Sequence, residues 1–263
     1  TQIISVINQK GGVGKTTTVI NLGTALSFKG KKILIIDLDP QGNATTGFGL
    51  SNNDDTKTIY DVLNNSANFE DVIKDTKINN LKLVSSNVDL SGLEVETASE
   101  NRRAFLLKDK IENFINSSKN DFDYIFIDCP PSLNLLTVMS LVVAKSLIVP
   151  LQAEFFALEG VSQLMKTIDR VKVKLNPSLE IRGVILTMFD KRNKLSTEVD
   201  NEARKFFSEK VYQTIIPRNV RLSEAPSHGI PILVYDKTCA GSKSYSNFAD
   251  EFLKQENIME TAA

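Results

Sequence analysis

Short apolar runs punctuate this chain at intervals. Ile3-Ile4-Ser5-Val6-Ile7, Ile33-Leu34-Ile35-Ile36, Leu81-Lys82-Leu83-Val84, Tyr124-Ile125-Phe126-Ile127, Ser146 to Pro150, Ile181 to Met188 and Val211 to Ile216 read as strands. Several are apolar throughout instead of alternating, the mark of strands covered on both faces. Helical periodicity fills the intervals: Thr16 to Lys29, Asn101 to Ser117, Leu133 to Ala144, Leu158 to Lys174, Glu198 to Glu209 and Tyr245 to Gln255. In the first of these Val19, Leu22, Ala25, Leu26 and Phe28 are available for packing, and Gly30 supplies the stop. Strand and helix alternate through most of the chain. The pattern predicts an α/β fold, doubly wound around a mainly parallel sheet flanked by helices.

Residues 51–100 are less regular. Asn52 to Asp55 reads as a polar loop, Thr58 to Asn64 and Phe69 to Lys74 as short helices. No Pro/Gly/Ser linker sets this stretch apart, so it reads as a local elaboration within one domain spanning 1–263. Ile230 to Tyr235 is expected to be extended, and residues from about 254 to 263 a disordered tail.

Two junctions carry the chemistry. After the first strand comes Gln9-Lys10-Gly11-Gly12-Val13-Gly14-Lys15-Thr16-Thr17, opening the first helix. A glycine-rich loop between strand and helix brings backbone N–H groups and a helix N-terminus around a phosphate. Lys15 is placed to reach the β- and γ-phosphates, and the Thr16 hydroxyl to hold Mg²⁺. Lys10 is an additional lysine that the standard loop lacks. The second and fourth strands end in acids, giving Asp37-Leu38-Asp39-Pro40 and Asp128-Cys129-Pro130-Pro131-Ser132. Ligands of open parallel sheets sit just outside such strand ends, and a carboxylate there holds Mg²⁺ through water in P-loop nucleotidases.

Composition narrows the rest. The 263 residues are 41% hydrophobic, enough for a sizeable core, and the net charge is −1. No bulk field draws the chain to nucleic acid or membrane. Residues 170–222, however, hold twelve Lys/Arg against six Asp/Glu. Two cysteines, Cys129 and Cys239, are too few for a disulfide scaffold or a cysteine zinc site, and fit a reducing compartment. One histidine, His228, argues against histidine-centred catalysis. The most apolar long stretch, Leu141 to Leu151, is broken by Lys145 and Pro150, so no membrane span is expected. A chain that opens directly on a strand is also expected to carry no secretory leader.

These motifs resemble those of a known family. Lys10-Gly11-Gly12-Val13-Gly14-Lys15-Thr16-Thr17 is similar to the deviant Walker A motif of the ParA/MinD ATPases, Asp37 to Asn43 to their switch I, and Asp128 to Ser132 to their Walker B and switch II. The run Pro217-Arg218-Asn219-Val220-Arg221-Leu222-Ser223-Glu224-Ala225-Pro226-Ser227-His228-Gly229 resembles that of the chromosomal ParA proteins called Soj. The likeness extends from Ile3 to about Leu253.

The resemblance implies a weak Mg²⁺-dependent ATPase acting as an ATP-bound homodimer. Gly11, Gly12, Val13, Gly14, Lys15, Thr16 and Thr17 would cradle the phosphates. Lys10 would reach the partner protomer's nucleotide, as an arginine finger does. Asp39 would position the attacking water, Asp128 would hold Mg²⁺ with Thr16, and Asp37 would support the metal shell or the loop. Met188, Pro217 and Asn219 would meet adenine, and Arg192 and Arg221 would contact non-specific double-stranded DNA. The implied trigger is a ParB-type centromere-binding partner, and the implied location cytoplasmic and nucleoid-associated. Chromosome, plasmid or protein-cluster cargo stays open. The alternative is a MinD-type membrane-associated positioning ATPase, which needs a basic amphipathic C-terminal helix; here Asn247 to Glu256 is net acidic. A nitrogenase-reductase-like cluster protein would need two cysteine ligands from each protomer. Cys129 and Cys239 are read instead as structural.

Overall fold

The computed structural model describes residues 1–50, 56–117, 121–154 and 157–262. The expected loop at Asn52 to Asp55 lies outside the described residues. Among these residues, strands form at Gln2–Val6 (β1), Ile33–Asp37 (β2), Ile73–Asp75 (β3), Leu81–Val84 (β4), Tyr124–Asp128 (β5), Ser146–Gln152 (β6), Glu180–Phe189 (β7) and Val211–Pro217 (β8). They build one sheet in the order β3-β4-β2-β5-β1-β6-β7-β8. Every pairing is parallel except the β3–β4 edge. The predicted doubly wound α/β fold is present.

The apolar runs become strands because both sheet faces are buried. Ile4 and Val6 of β1, with Ile33 and Ile35 of β2, pack with the helices Lys15–Phe28 and Ala240–Ala262 through Val19, Leu22, Phe248 and Phe252. Alternate residues of the same strands join the other side. Ile3, Leu34 and Ile36 pack with Leu107, Ile111 and Phe114 of the helix Leu106–Ser117 and Met139 of the helix Leu135–Val143. Beyond β1, Leu147 and Val149 pack with Val199 and Phe207 of the helix Lys194–Phe207. Period-two geometry thus splits each continuous run between two cores.

Several local expectations change. Ile232–Tyr235 is a short helix, not a strand: Pro231 starts it, and the Ile232 N–H donates to Asn21 Oδ1 at 2.9 Å. The helix at Phe69 stops at Val72, and Ile73–Asp75 then pairs with β4 as an edge strand. The last helix begins at Ala240, and residues 254–262, expected as a disordered tail, continue it. Glu256 is drawn in by a hydrogen bond from the Tyr124 hydroxyl, with Arg182 Nη1 4.0 Å away.

Candidate nucleotide and DNA site

β1 and β2 are not neighbours; β5 lies between them. Asp37 pairs in register with Asp128, and Val6, just before the glycine-rich loop, pairs with Asp128 on the other side. The three strand ends therefore deliver the loop and both acids to one edge of the sheet.

The loop geometry follows from its glycines. Gly12 and Gly14 have φ of 73° and 91°, where a side chain would be strained. Gly14 precedes the helix Lys15–Phe28 with no side-chain cap, which leaves the helix N-terminal N–H groups for an anion. The Thr187 hydroxyl of β7 donates to the Val13 carbonyl at 2.8 Å and braces the loop. Lys15 Nζ donates to the Lys10 carbonyl at 3.0 Å. Burial lowers the Lys15 ammonium below the usual lysine range, opposed by the charges of Asp128, Cys129 and Asp39.

Three carboxylates gather at this edge of the sheet in different environments. Asp37 is fully buried, and its Oδ2 accepts from the Thr45 N–H and hydroxyl, both at 2.8 Å. Its Oδ1 accepts from the Asp39 N–H at 3.2 Å. Burial raises its pKa to about 6 despite these bonds. Asp37 thus ties Thr45 to the start of the loop that carries Asp39. Asp39 Oδ1 accepts from the Gln41 N–H at 3.0 Å in a tight turn. Asp128 differs from both. Among the described residues neither of its buried oxygens has a well-formed hydrogen bond, and the Thr16 hydroxyl is the donor beside it. Burial, then the charges of Asp37 and Asp39, push its carboxyl well above the usual range, and the Thr16 hydroxyl and Lys15 do not cancel them.

An orphaned buried carboxylate beside a threonine hydroxyl suits a hard divalent cation. Among the described residues no group of three His, Cys, Asp or Glu side chains is arranged to hold a metal alone. That fits an ion held largely by phosphate oxygens and water, as Mg²⁺ is.

Gly11, Gly12, Gly14, Lys15, Thr16, Thr17, Asp39 and Met188 line one cleft of 490 Å³. Asn43, Thr46, Pro226 and Ser227 line it too; Asn43, Pro226 and Ser227 lie within the quoted motifs without an assigned site role, and Thr46 lies outside them. A pocket of 190 Å³ adjoins it, sharing Gly14, Thr17, Met188 and Pro226. Met188, Pro217 and Asn219 all line this second pocket. Asn219 Oδ1 is buried there without a hydrogen-bonding partner among the described residues, and Met188 has a φ of 51°.

Lys10 stands apart from that cleft. It lines a separate hollow with Gln9, Pro131, Ser132, Leu133, Gly160 and Gln163. Its ammonium forms an ion pair with Glu154, and its side chain is 42% exposed. Asn8 Oδ1 and the Gln9 side chain fix the backbone there, accepting from the Lys10 N–H and donating to the Gly160 carbonyl at 3.0 and 2.7 Å. Glu154 carried no sequence signal, because its pairing arises only when β6 lies beside β1.

The two candidate DNA arginines do not share a groove. Arg192, in the loop after β7, lines a hollow that Arg221, in the short helix Val220–Glu224, does not reach. Arg192 is held by Asp190, and Arg221 by Glu224 at 2.9 Å. Cys129 is buried, donates to the Ser140 hydroxyl, and has its thiol pushed up to about 12 by burial. Cys129 and Cys239 are both free thiols.

A parallel sheet with this loop at its first strand end, an orphaned acid at the neighbouring strand end and a second lysine beside the loop defines a P-loop protein of the deviant Walker A class. Residues 1–181 match the family model described as an AAA domain. The chain is 49% identical to the chromosome partitioning protein ParA of Caulobacter vibrioides over 262 residues, covering 100% of this chain and 97% of that protein. It is 48% identical to the sporulation initiation inhibitor protein Soj of Bacillus subtilis over 250 residues, covering 95% and 97%. Among solved structures it resembles cobyrinic acid a,c-diamide synthase from Mycobacterium smegmatis with bound ATP analogue and magnesium. There the TM-score is 0.85 and the identity 33%, over 97% of this chain and 94% of that one. The chain belongs to the ParA/Soj family of the ParA/MinD superfamily.

Proposed function

We propose that this protein is a DNA-partitioning ATPase whose ATP-bound dimer holds non-specific duplex DNA and releases it on hydrolysis to ADP and phosphate. One observation carries this reading: Lys15 lines the nucleotide cleft, whereas Lys10 lines a different, open hollow. A cation turned away from its own protomer's cleft supports a role at a second protomer's phosphates, once it leaves Glu154. Delivered across an interface, it stabilises charge on the transferring phosphoryl and makes dimerisation depend on the γ-phosphate.

Within one protomer the loop N–H groups and Lys15 neutralise the phosphates. Thr16 and Asp128 would hold Mg²⁺, which would supply further positive charge to the phosphates. Asp39 orients water, Asp37 holds the Asp39 loop, and Asn219 Oδ1 accepts a hydrogen bond from the base amino group. Arg192 and Arg221 exchange their internal acids for DNA phosphates, giving contacts blind to sequence and sensitive to salt. A ParB-type partner accelerates hydrolysis, and the protein works on the nucleoid in the cytoplasm.

The membrane-associated alternative finds less support. The last helix spends its apolar side chains Phe248 and Phe252 on the core, and among the described residues no helix is long and apolar enough to cross a membrane. Sedimentation velocity in ATP, ADP and no nucleotide tests the dimer, with anionic liposomes as a second arm. The reading expects a dimer with ATP alone and no liposome pelleting. One oligomeric state in all three conditions, or pelleting with ATP, contradicts it.

A further inference from the structure

Beside the base pocket lies a groove of 790 Å³. Phe189, Ile215 and Pro217 contribute apolar surface to it, and Lys191, Arg192 and Arg218 line it as cations. Pro217 and Arg218 also line the base pocket. The end of β8 and the turn that follows it therefore form the wall between the two spaces. The Arg218 N–H donates to the Phe189 carbonyl at 3.0 Å and ties that wall to the end of β7.

The charges in the groove are unequally occupied. Among the described residues its one acid is Asp190, whose Oδ1 accepts from Arg192 Nε at 3.0 Å and Oδ2 from Arg192 Nη2 at 2.9 Å. Nearby Glu251 accepts from the Gln213 and Thr214 N–H groups at 2.6 and 2.8 Å. Arg221 is engaged by Glu224 and lies 3.8 Å from Asp236. Among the described residues neither Arg218 nor Lys191 forms an ion pair, although the bonds and charge of Arg192, and after them the Arg218 charge, help hold the Asp190 carboxyl below the usual range. The two arginines that family resemblance puts forward for DNA are internally paired, and two neighbours it passes over are not.

We infer that Arg218, assisted by Lys191, seats a backbone phosphate of duplex DNA in this groove, and that Arg218 joins the DNA contact to the nucleotide pocket through their shared wall. The inference rests on the DNA-binding reading above. A guanidinium fork matches phosphate oxygens two at a time, and the apolar surface suits the deoxyribose. A base in the adjoining pocket would press on the same turn, so occupancy of one space orders a wall of the other.

The test compares wild type with R218A, R218K, K191A and R192A. DNA retention is measured on the full chain at saturating ATP, as a function of salt, with the dimer fraction checked by sedimentation. R218A is expected to lose about tenfold or more in retention, and its log–log salt slope to become shallower by about 0.9 for each phosphate no longer neutralised. R218K should recover most of the slope, and R192A should fall short of the R218A effect. If R218A melts early, R218Q decides by the same slope. Wild-type retention and slope in the Arg218 variants overturn the inference. If wild type itself retains no DNA with ATP, the DNA-binding reading fails with it, which distinguishes the two failures.

Discussion

Lys15 donates its ammonium to the main-chain carbonyl of Lys10 at 3.0 Å. The lysine expected to bind phosphate thus closes the loop on which the extra lysine stands. The Lys10 side chain leaves in another direction, to Glu154. The two lysines share a loop and divide its work. Lys15→Ala should weaken ATP binding about 100-fold, the scale of a lost charge-assisted hydrogen bond. Lys10→Ala should leave ATP affinity within about threefold, while the ATP dimer disappears. Isothermal titration with sedimentation reads both, and equal effects of the two substitutions on ATP affinity would refute the division.

Asp39 holds the Gln41 N–H through one oxygen. Asp39→Ala should cost about 1 kcal/mol of stability through that bond. Single-turnover hydrolysis should fall by about 100-fold or more, the usual worth of a positioned proton-accepting group, while ATP-dependent DNA retention persists. Hydrolysis at the wild-type rate would move the water-positioning role elsewhere.

Asp37 should make the free protein sensitive to pH. Its folded pKa is about 6, raised by burial from 3.8. A raised carboxyl favours the folded state fully below its unfolded pKa, and that advantage is lost as pH climbs through the folded one. Stability without nucleotide should therefore fall between about pH 4 and pH 6, by an amount on the order of 3 kcal/mol for this group. Asp128, raised in the same direction by burial, adds to the fall. Thermal melts across pH should show it, and Asp128→Asn should flatten the profile. A melting temperature that rises across the same interval contradicts the assignment.

Gly229 ends the short helical turn whose Pro226 and Ser227 line the nucleotide cleft. It has φ 64°, and an added Cβ would stand 2.5 Å from Gly49 Cα. Backbone cannot yield as a flexible side chain does. Gly229→Ala should destabilise by about 1–3 kcal/mol, read by urea denaturation, and weaken ATP binding in parallel. A neutral substitution would mean that this run is not packed as described.

Much of the fold was legible because β1, β2 and β5 are apolar runs that end where chemistry begins. Burial on both faces writes itself into consecutive residues. The run Ile232-Leu233-Val234-Tyr235 misled for the same reason, since a short apolar run does not distinguish strand from helix and Pro231 decides it. Within the site, Gly11, Gly12, Gly14 to Thr17, Asp39 and Met188 line one cleft, and Met188, Pro217 and Asn219 line the next. What sequence could not show was partnership across the sheet. Thr187 bracing Val13, Glu154 holding Lys10 and Asp190 occupying Arg192 depend on which strands are neighbours or on how a loop turns. Asp37 was legible as an acid at a strand end, but its commitment to Thr45 was not.

The most direct test is retention of non-specific duplex DNA by the full chain with ATP, with ADP and without nucleotide, repeated from low to physiological salt. A protein that reads its nucleotide as a dimer and holds DNA phosphates should retain DNA with ATP alone, and lose it steeply as salt rises. Equal retention in the three nucleotide states, or retention indifferent to salt, would contradict the account.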